Sequence, residues 1–450
     1  MTPSDVRAAA AELVQLHARF APVFGRKEVQ AHSRVYLQGL LSAPGRKSAE
    51  PIALAFGQAG GDEPRHCRVI ALQRFLSSAP WDHEAVQKEI QRTFAERLVP
   101  ANTDWPIGTV GVIDASTFVK KGRESVGVKR QYCGRLGKVE NCQAGVFLTG
   151  VTPAGAALLE HQLYLPREWA QDSPRRDKVH VPQEVRFQTQ PQIAADLLRR
   201  TRQAGLVHFD WIVADEGFGR YGQFLDELED MGQRYLLEVP SDTTVWTEGE
   251  VPAYGGRGRR PRRSRRNAVR AVRSVAECWP ASAWQNYQIR DGAQGPLVFE
   301  FAALRVHGMR HRKEGPALWL VLRRSLGPKV ETKYYVSNAP ADTSLETLAL
   351  VSGCRCRVEE YFEQAKSYLG MAQYEARAWS SWHHHMSLVA LAHLYVTLTR
   401  MGLKKKRRTE PGSGVAVAPH CVADGKPNPG NRHENHPVLP ESQRHSQALT

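Results

Sequence analysis

Two short apolar runs, each stopped by an aspartate, limit the fold of this 450-residue chain more than any other feature. "TVGVI" leads into Asp114 and "WIVA" leads into Asp215. Both read as short buried strands. An open α/β sheet binds its ligands outside the C-terminal ends of such strands, where an acid is rigidly held and still meets solvent. Asp is also a common turn residue after a strand, so each aspartate taken alone carries both readings.

The segments around these runs predict a mixed sheet. "SVGVKRQYC" and "CQAGVFLTGVTP" read as strands, and "AALLEHQLYLP" extends the same sheet. "QIAADLLRRTRQAG" reads as a helix closing on Gly205, "YGQFLDELEDMG" as a helix and "RYLLEVP" as a strand. Strands interleaved with helices indicate an α/β core, whose first part is bounded at 101–240. Before it, residues 1–100 show helical spacing throughout, with Ser4 as the expected cap of a helix over 4–20, and are read as a helical domain. After it, 241–342 form a β-rich insertion containing "PLVFEFAALRV", "ALWLVLRRSL" and "KYYVSNA". Helical spacing returns over 343–400. Residues 401–450, polar and rich in Pro and Gly, read as a disordered tail.

Lys and Arg outnumber Asp and Glu by 61 to 46, a net charge of +15. That excess favours a polyanion, nucleic acid before an anionic membrane. No run is read as long enough to cross a bilayer, and the first residues lack a secretory pattern, so cytoplasm is the expected compartment. Seven cysteines without a CxxC pair argue against a disulfide framework and a structural zinc site.

A third carboxylate comes from "RCRVEEYFEQAK", residues 355–366. At about 100° per residue, Val358, Phe362, Ala365 and Leu369 share an apolar face. Arg355, Glu359 and Lys366 cluster on its border, Glu363 lies further round and Glu360 points away. Glu359 is therefore anchored beside the buried face and free to meet a ligand. The alternative is a solvated face with an i, i+4 Arg355–Glu359 pair. Mg²⁺ takes oxygen ligands, and two such ions clamp the attacking and leaving oxygens of a phosphodiester. That chemistry needs carboxylates gathered in space, so separations of more than a hundred residues are no objection.

With these features in place, the chain resembles DDE transposases of bacterial insertion sequences, in the branch with a ribonuclease-H-like core, a β-strand insertion and a Y-R-E-K signature. Arg355, Glu359 and Lys366 match the last three signature positions; Ser352 stands at the tyrosine position, and Ala115 follows the first aspartate where many relatives carry an acid or hydroxyl. "GVKRQYCGRLGKVENCQAGV" and "WIVADEGFGRYGQFLDELEDMGQRYLLEVP" resemble the segments after the first and around the second aspartate. The resemblance implies a ribonuclease-H-like mixed sheet flanked by helices. It implies Asp114, Asp215 and Glu359 as ligands of two Mg²⁺ ions, with Mn²⁺ a substitute, and Arg355 and Lys366 as phosphate contacts. The implied partners are double-stranded DNA, as transposon terminal inverted repeats and target, and a second copy in a synaptic homodimer, in the nucleoid-associated cytoplasm and with no membrane. A decayed, purely DNA-binding copy and a stand-alone nuclease are the rival readings.

Further cations suit DNA. Arg259, Arg260, Arg262 and Arg263 lie in an arginine-rich stretch expected to be exposed and mobile, and Lys120 and Lys121 follow Asp114 closely. Solvated loops are the competing account of both groups. Trp246 and Trp284 are candidates for stacking on a splayed base or for packing. In "WHHH", Trp382 to His385, neighbouring side chains point about 100° apart on a helix, which argues against one shared metal. Cys354-x-Cys356 is read as incidental.

Overall fold

A capping box starts the first helix. In the computed structural model, Thr2 Oγ1 accepts the Asp5 N–H at 3.2 Å, and the Asp5 carboxylate accepts the Thr2 N–H at 2.8 Å. The helix α1 is Pro3–Phe20, so the cap is Thr2 rather than Ser4: proline is pre-set for the first helical position, and Ser4 falls inside the helix. The structure describes residues 2–42, 45–56, 64–100, 105–247, 269–292, 295–311 and 313–409. The arginine-rich stretch with Arg259, Arg260, Arg262 and Arg263 lies outside the described residues, as do residues 410–450 of the expected tail; residues 401–409 of that tail are instead the end of the last helix, Trp379–Thr409, because their Lys and Arg are good helix formers that suit a helix C-terminus.

Four more helices follow: α2 (Lys27–Leu41), α3 (Ala49–Phe56), α4 (Arg65–Ser77) and α5 (His83–Arg97). They bury Phe20, Tyr36, Leu40, Phe75, Ile90 and Phe94. The core strands are β1 (Val110–Val119), β2 (Lys129–Cys133), β3 (Lys138–Thr152) and β4 (Gly155–Leu163). Then come α6 (Arg167–Ala170), α7 (Ser173–Lys178), α8 (Gln190–Ala204), β5 (Trp211–Ala214), α9 (Glu216–Gly219), α10 (Gly222–Asp230) and β6 (Tyr235–Val239). The central order is β4-β3-β1-β5-β6, with β3 and β4 antiparallel and β1, β5 and β6 mutually parallel. That is the ribonuclease-H-like sheet expected from the sequence. Hydrophobic burial drives its closure: Val112, Ile113, Leu148, Ile212, Val213, Leu236 and Leu237 are fully buried.

The insertion continues the same sheet. Its elements are β7 (Thr244–Trp246), β8 (Val269–Ala271), α11 (Val272–Glu277), β9 (Gln285–Gly292), β10 (Gly295–Arg310), β11 (Lys313–Ser325) and β12 (Thr332–Ser337). β12 pairs antiparallel with β6, so the insertion strands extend the sheet from its β6 edge.

Three helices complete the fold: α12 (Leu345–Gly353), α13 (Arg355–Tyr368) and α14 (Trp379–Thr409). The apolar face predicted for α13 is the buried one, with Val358, Phe362, Ala365 and Leu369 all inside. Phe362 meets Phe147 of β3 edge-on, ring centres 5.2 Å apart. Contrary to the sequence reading, α14 is long and apolar enough to cross a membrane by length and composition. Most of its apolar stretch is nevertheless buried within the fold. His383, His384 and His385 are all buried and face different neighbours: the Trp379 carbonyl, the Leu76 carbonyl and the Tyr36 hydroxyl.

Candidate active site

The parallel ladder fixes where the acids stand. Ile113 pairs in register with Ala214, and Ala214 with Leu237. The next residues are Asp114, Asp215 and Glu238, so three carboxylates lie one step beyond the same row of backbone hydrogen bonds. Asp114 does not end its strand, as the sequence suggested. β1 runs five residues further because β3 keeps pairing with it through Val119, whereas β5 stops at Ala214. Asp215 does leave its strand and caps α9, accepting the Gly217 N–H at 3.0 Å. α9 lies tight on β6: a Cβ at Gly219 would stand 2.1 Å from the Glu238 carbonyl oxygen, so glycine is required there.

Helix α13 brings Arg355 into this row. Its Nη2 lies 3.9 Å from Asp215 Oδ2, and its Nη1 lies 3.4 Å from both Glu238 Oε2 and Glu359 Oε1. Burial alone would lower the guanidinium pKa, but Asp114, Glu238, Glu359 and Asp215 hold it above its ordinary value. Arg355 Nε is buried and makes no hydrogen bond, so the group keeps a donor to spare. Burial, then the Asp215 charge, pushes the Asp114 carboxyl up to about 7, with Arg355 opposing. Burial also raises Asp215; Arg355 offsets part of this, and Glu238 adds to it. Three carboxylates from distant segments, with Glu238 as a fourth, therefore share one cation in a partly desolvated setting. Glu359 is the exposed member, with 56% of its side chain accessible.

The other members of α13 divide as the helix geometry requires. Lys366 Nζ sits 2.7 Å from Ser116 Oγ, and Ser116 shares the Asp114 face of β1. Burial and then Arg135 lower the Lys366 pKa. Glu360 turns away to Arg290 and Arg357, and Glu363 is exposed. Ser352, at the signature tyrosine position, is buried and donates to the Ala349 carbonyl at 2.7 Å. The Ala115 N–H donates to Asp114 Oδ1 at 2.7 Å.

Lys120 is directed elsewhere. It donates to the Tyr374 carbonyl at 2.9 Å and stands 3.4 Å from that ring's centre, and burial takes its pKa down to about 8. Lys121 is exposed beside it. Trp246 is half-buried in β7, and Trp284 lies under the Arg324 guanidinium, 4.1 Å from the ring centre. Cys354, just before α13, is buried and pushed up to about 12 by desolvation. Sequence reasoning missed Glu238. It is 8% exposed and accepts from Lys333 Nζ at 3.0 Å as well as facing Arg355. Its one signal was an acid inside the apolar run "YLLEV". Among the described residues, no group of three His, Cys, Asp or Glu side chains is already closed around a common point; Arg355 lies among the acids instead.

Comparison with known proteins adds the following. A family model described as "DDE superfamily endonuclease" matches residues 19–296. A probable transposase for insertion sequence element IS701 of Microchaete diplosiphon is 30% identical over 172 residues, 38% of this chain and 40% of that protein. The match thus spans less than half of that relative. A cryo-EM structure of the piggyBac transposase synaptic complex with hairpin DNA aligns at a TM-score of 0.38 and 11% identity, covering 86% of this chain and 74% of that one.

Proposed function

Because the chain belongs to the DDE superfamily of endonucleases, we propose that it is an insertion-sequence transposase, which cuts double-stranded DNA at the ends of its element and joins the freed 3′-OH to target DNA. The observation that carries this reading is the grouping of Asp114, Asp215 and Glu359 about Arg355 at the end of the parallel ladder.

The donor set suits a hard divalent cation, since it is made of carboxylate oxygens with no thiolate or imidazole among them. Asp114, Asp215 and Glu359 would hold two Mg²⁺ ions, Mn²⁺ serving in their place. When bound, such ions polarise a phosphodiester and activate the oxygen that attacks it. The protein's own groups bind and orient. Lys366, fixed beside Ser116, and Arg355, whose side chain is 21% exposed, supply positive charge to phosphate oxygens. In cleavage a water oxygen bonds to phosphorus, the 3′ oxygen leaves and takes up a proton, and a 5′-phosphate remains. In joining, that 3′-OH attacks a target phosphodiester and displaces a second 3′ oxygen. No protein nucleophile is consumed.

On this reading the helices of residues 1–100 hold the terminal inverted repeats, the 101–240 and 343–400 segments form the core, and the 241–342 insertion lies along the DNA. Two ends call for two copies, a homodimer in the synaptic complex acting in the nucleoid-associated cytoplasm. The test is a plasmid carrying the element, incubated with the protein and Mg²⁺. Asp114→Asn, Asp215→Asn and Glu359→Gln should each abolish cleavage and spare a gel shift on end DNA. Normal cutting by Asp215→Asn, or loss of cutting in Glu363→Gln but not in Glu359→Gln, overturns the assignment. A pure binder would shift DNA without product, and a stand-alone nuclease would cut without joining.

A further inference from the structure

Four exposed large apolar side chains, Val119, Tyr132, Leu136 and Val139, gather on the β2–β3 ribbon and its base. β1 ends at Val119, opposite Cys142, and beyond that point Lys138–Val139 of β3 has only β2 as its ladder partner. Tyr132 and Val139 are directly opposed across the ribbon, 65% and 53% exposed, and Leu136 in the connecting turn is 41% exposed. Val119 at the ribbon's base is 43% exposed. Cations surround them: Arg130 and Arg135 are exposed, and Lys138 is exposed 3.5 Å from Glu140.

The ribbon is tied to the candidate site. Cys133, buried at the end of β2, meets the Thr117 hydroxyl at 3.2 Å, three residues past Asp114. Arg135 lies near enough to act on the Lys366 charge, and Lys366 holds Ser116. A phosphodiester seated at Asp114 and Lys366 therefore has the ribbon as its next neighbour along β1. A surface that pairs an aromatic ring and two aliphatic tips with flanking cations matches the two faces of nucleic acid, stacked bases and phosphates. The same ribbon of a second copy would set Arg130, Arg135 and Lys138 against like charges, with Glu140 as the one carboxylate on each ribbon to offset them.

We propose that the β2–β3 ribbon is a DNA-contact element that places Tyr132 and Leu136 against unstacked bases beside the scissile phosphate, with Arg135 on the neighbouring backbone. This rests on the DNA-cutting reading above. The two are tested separately by measuring binding without cleavage. The full chain is titrated, in Ca²⁺, with a blunt duplex carrying a fluorescent adenine analogue near its end. Unstacking at the end raises the fluorescence of the wild-type complex. Tyr132→Ala with Leu136→Ala removes that rise and weakens binding about ten-fold, whereas Tyr132→Trp preserves both. Arg135→Gln weakens binding and reduces its dependence on salt by about one phosphate's worth. Wild-type fluorescence and affinity in the double-alanine variant, at unchanged Tm, overturn the proposal. So does a variant that changes only the oligomeric state, which would make the ribbon a protein interface. Cutting is scored separately: if Asp114→Asn still cuts DNA with Mg²⁺, the active-site reading fails, while the ribbon assignment stands or falls on the Tyr132, Leu136 and Arg135 binding data.

Discussion

Arg355 and Glu238 face each other at 3.4 Å in the interior of the site, and Lys333 holds the same carboxylate from the insertion strand β12 at 3.0 Å. Glu238 thus gives Arg355 a resting place apart from Asp215 and Glu359. Glu238→Gln removes that charge and leaves two part-buried cations short of one partner. We expect a loss of stability of about 2 kcal/mol, measured by urea denaturation. The released Arg355 then leans on Asp215 and Glu359, so more Mn²⁺ should be needed to reach half-saturation in calorimetry. An unchanged metal affinity would limit Glu238 to a structural role.

Metal binding should register without any reaction. A ligand that binds only the folded chain raises Tm by mass action. Mg²⁺ or Mn²⁺ is expected to raise the wild-type Tm by a few degrees, and Asp114→Asn or Asp215→Asn to remove the shift. A full shift in Asp215→Asn would place the cation elsewhere.

Acid should unfold this chain early. Burial takes His83 and His384 down to about 4, His385 and His393 to about 3, and His161 and His383 well below their usual value. These rings are neutral when folded and take up protons near pH 6.5 when unfolded. Their stabilising contribution is present above that pH and is lost as pH falls toward 4 and 3. Asp114, raised to about 7, and Asp215 and Glu160, also raised by burial, work in the opposite direction, but they are three groups against six. Calorimetric scans should show Tm lower by at least about 10 °C at pH 5 than at pH 7. Replacing His384 with Gln should reduce that difference, and an unchanged Tm across this range would refute the account.

One close approach ties α14 to the sheet. A Cβ on Gly145 would stand 2.7 Å from Trp382 Cζ2. Gly145→Ala should cost about 1–3 kcal/mol through overpacking. Combining it with Trp382→Phe should recover part of the loss, as read from denaturation midpoints.

How much of this was legible beforehand depended on whether a residue's role is local. Asp215 follows a strand and caps a helix, both short-range properties, and its position could be read directly. Glu359 was singled out from three glutamates by helical angle, and the same angle sends Glu360 to Arg290. The end of β1 was misread because its length is set by β3, a partner decided across the turn rather than along the strand. Glu238 had no local signature. Its place beside Asp114 and Asp215 exists only in the register of three parallel strands. For His383, His384 and His385 the helical angle argues only against a shared metal; that each finds a separate partner in the core is something no spacing rule reveals. Lys120 follows Asp114 in sequence, but it departs toward Tyr374 because a ring and a carbonyl offer it better company than open solvent.

The separation of α13 from the strands it serves has a consequence for synthesis. β1, β5 and β6 are complete once the ribosome has passed residue 239, but Arg355 and Glu359 emerge only after the whole insertion has been translated. The nascent chain therefore carries its first acids long before it carries the last. A message cut short anywhere in the insertion yields a polypeptide with the N-terminal helices and the strand acids but no Arg355 or Glu359; on the proposed function it would hold DNA without breaking it. On that function, the order of segments along the gene would delay cutting until the chain is nearly complete.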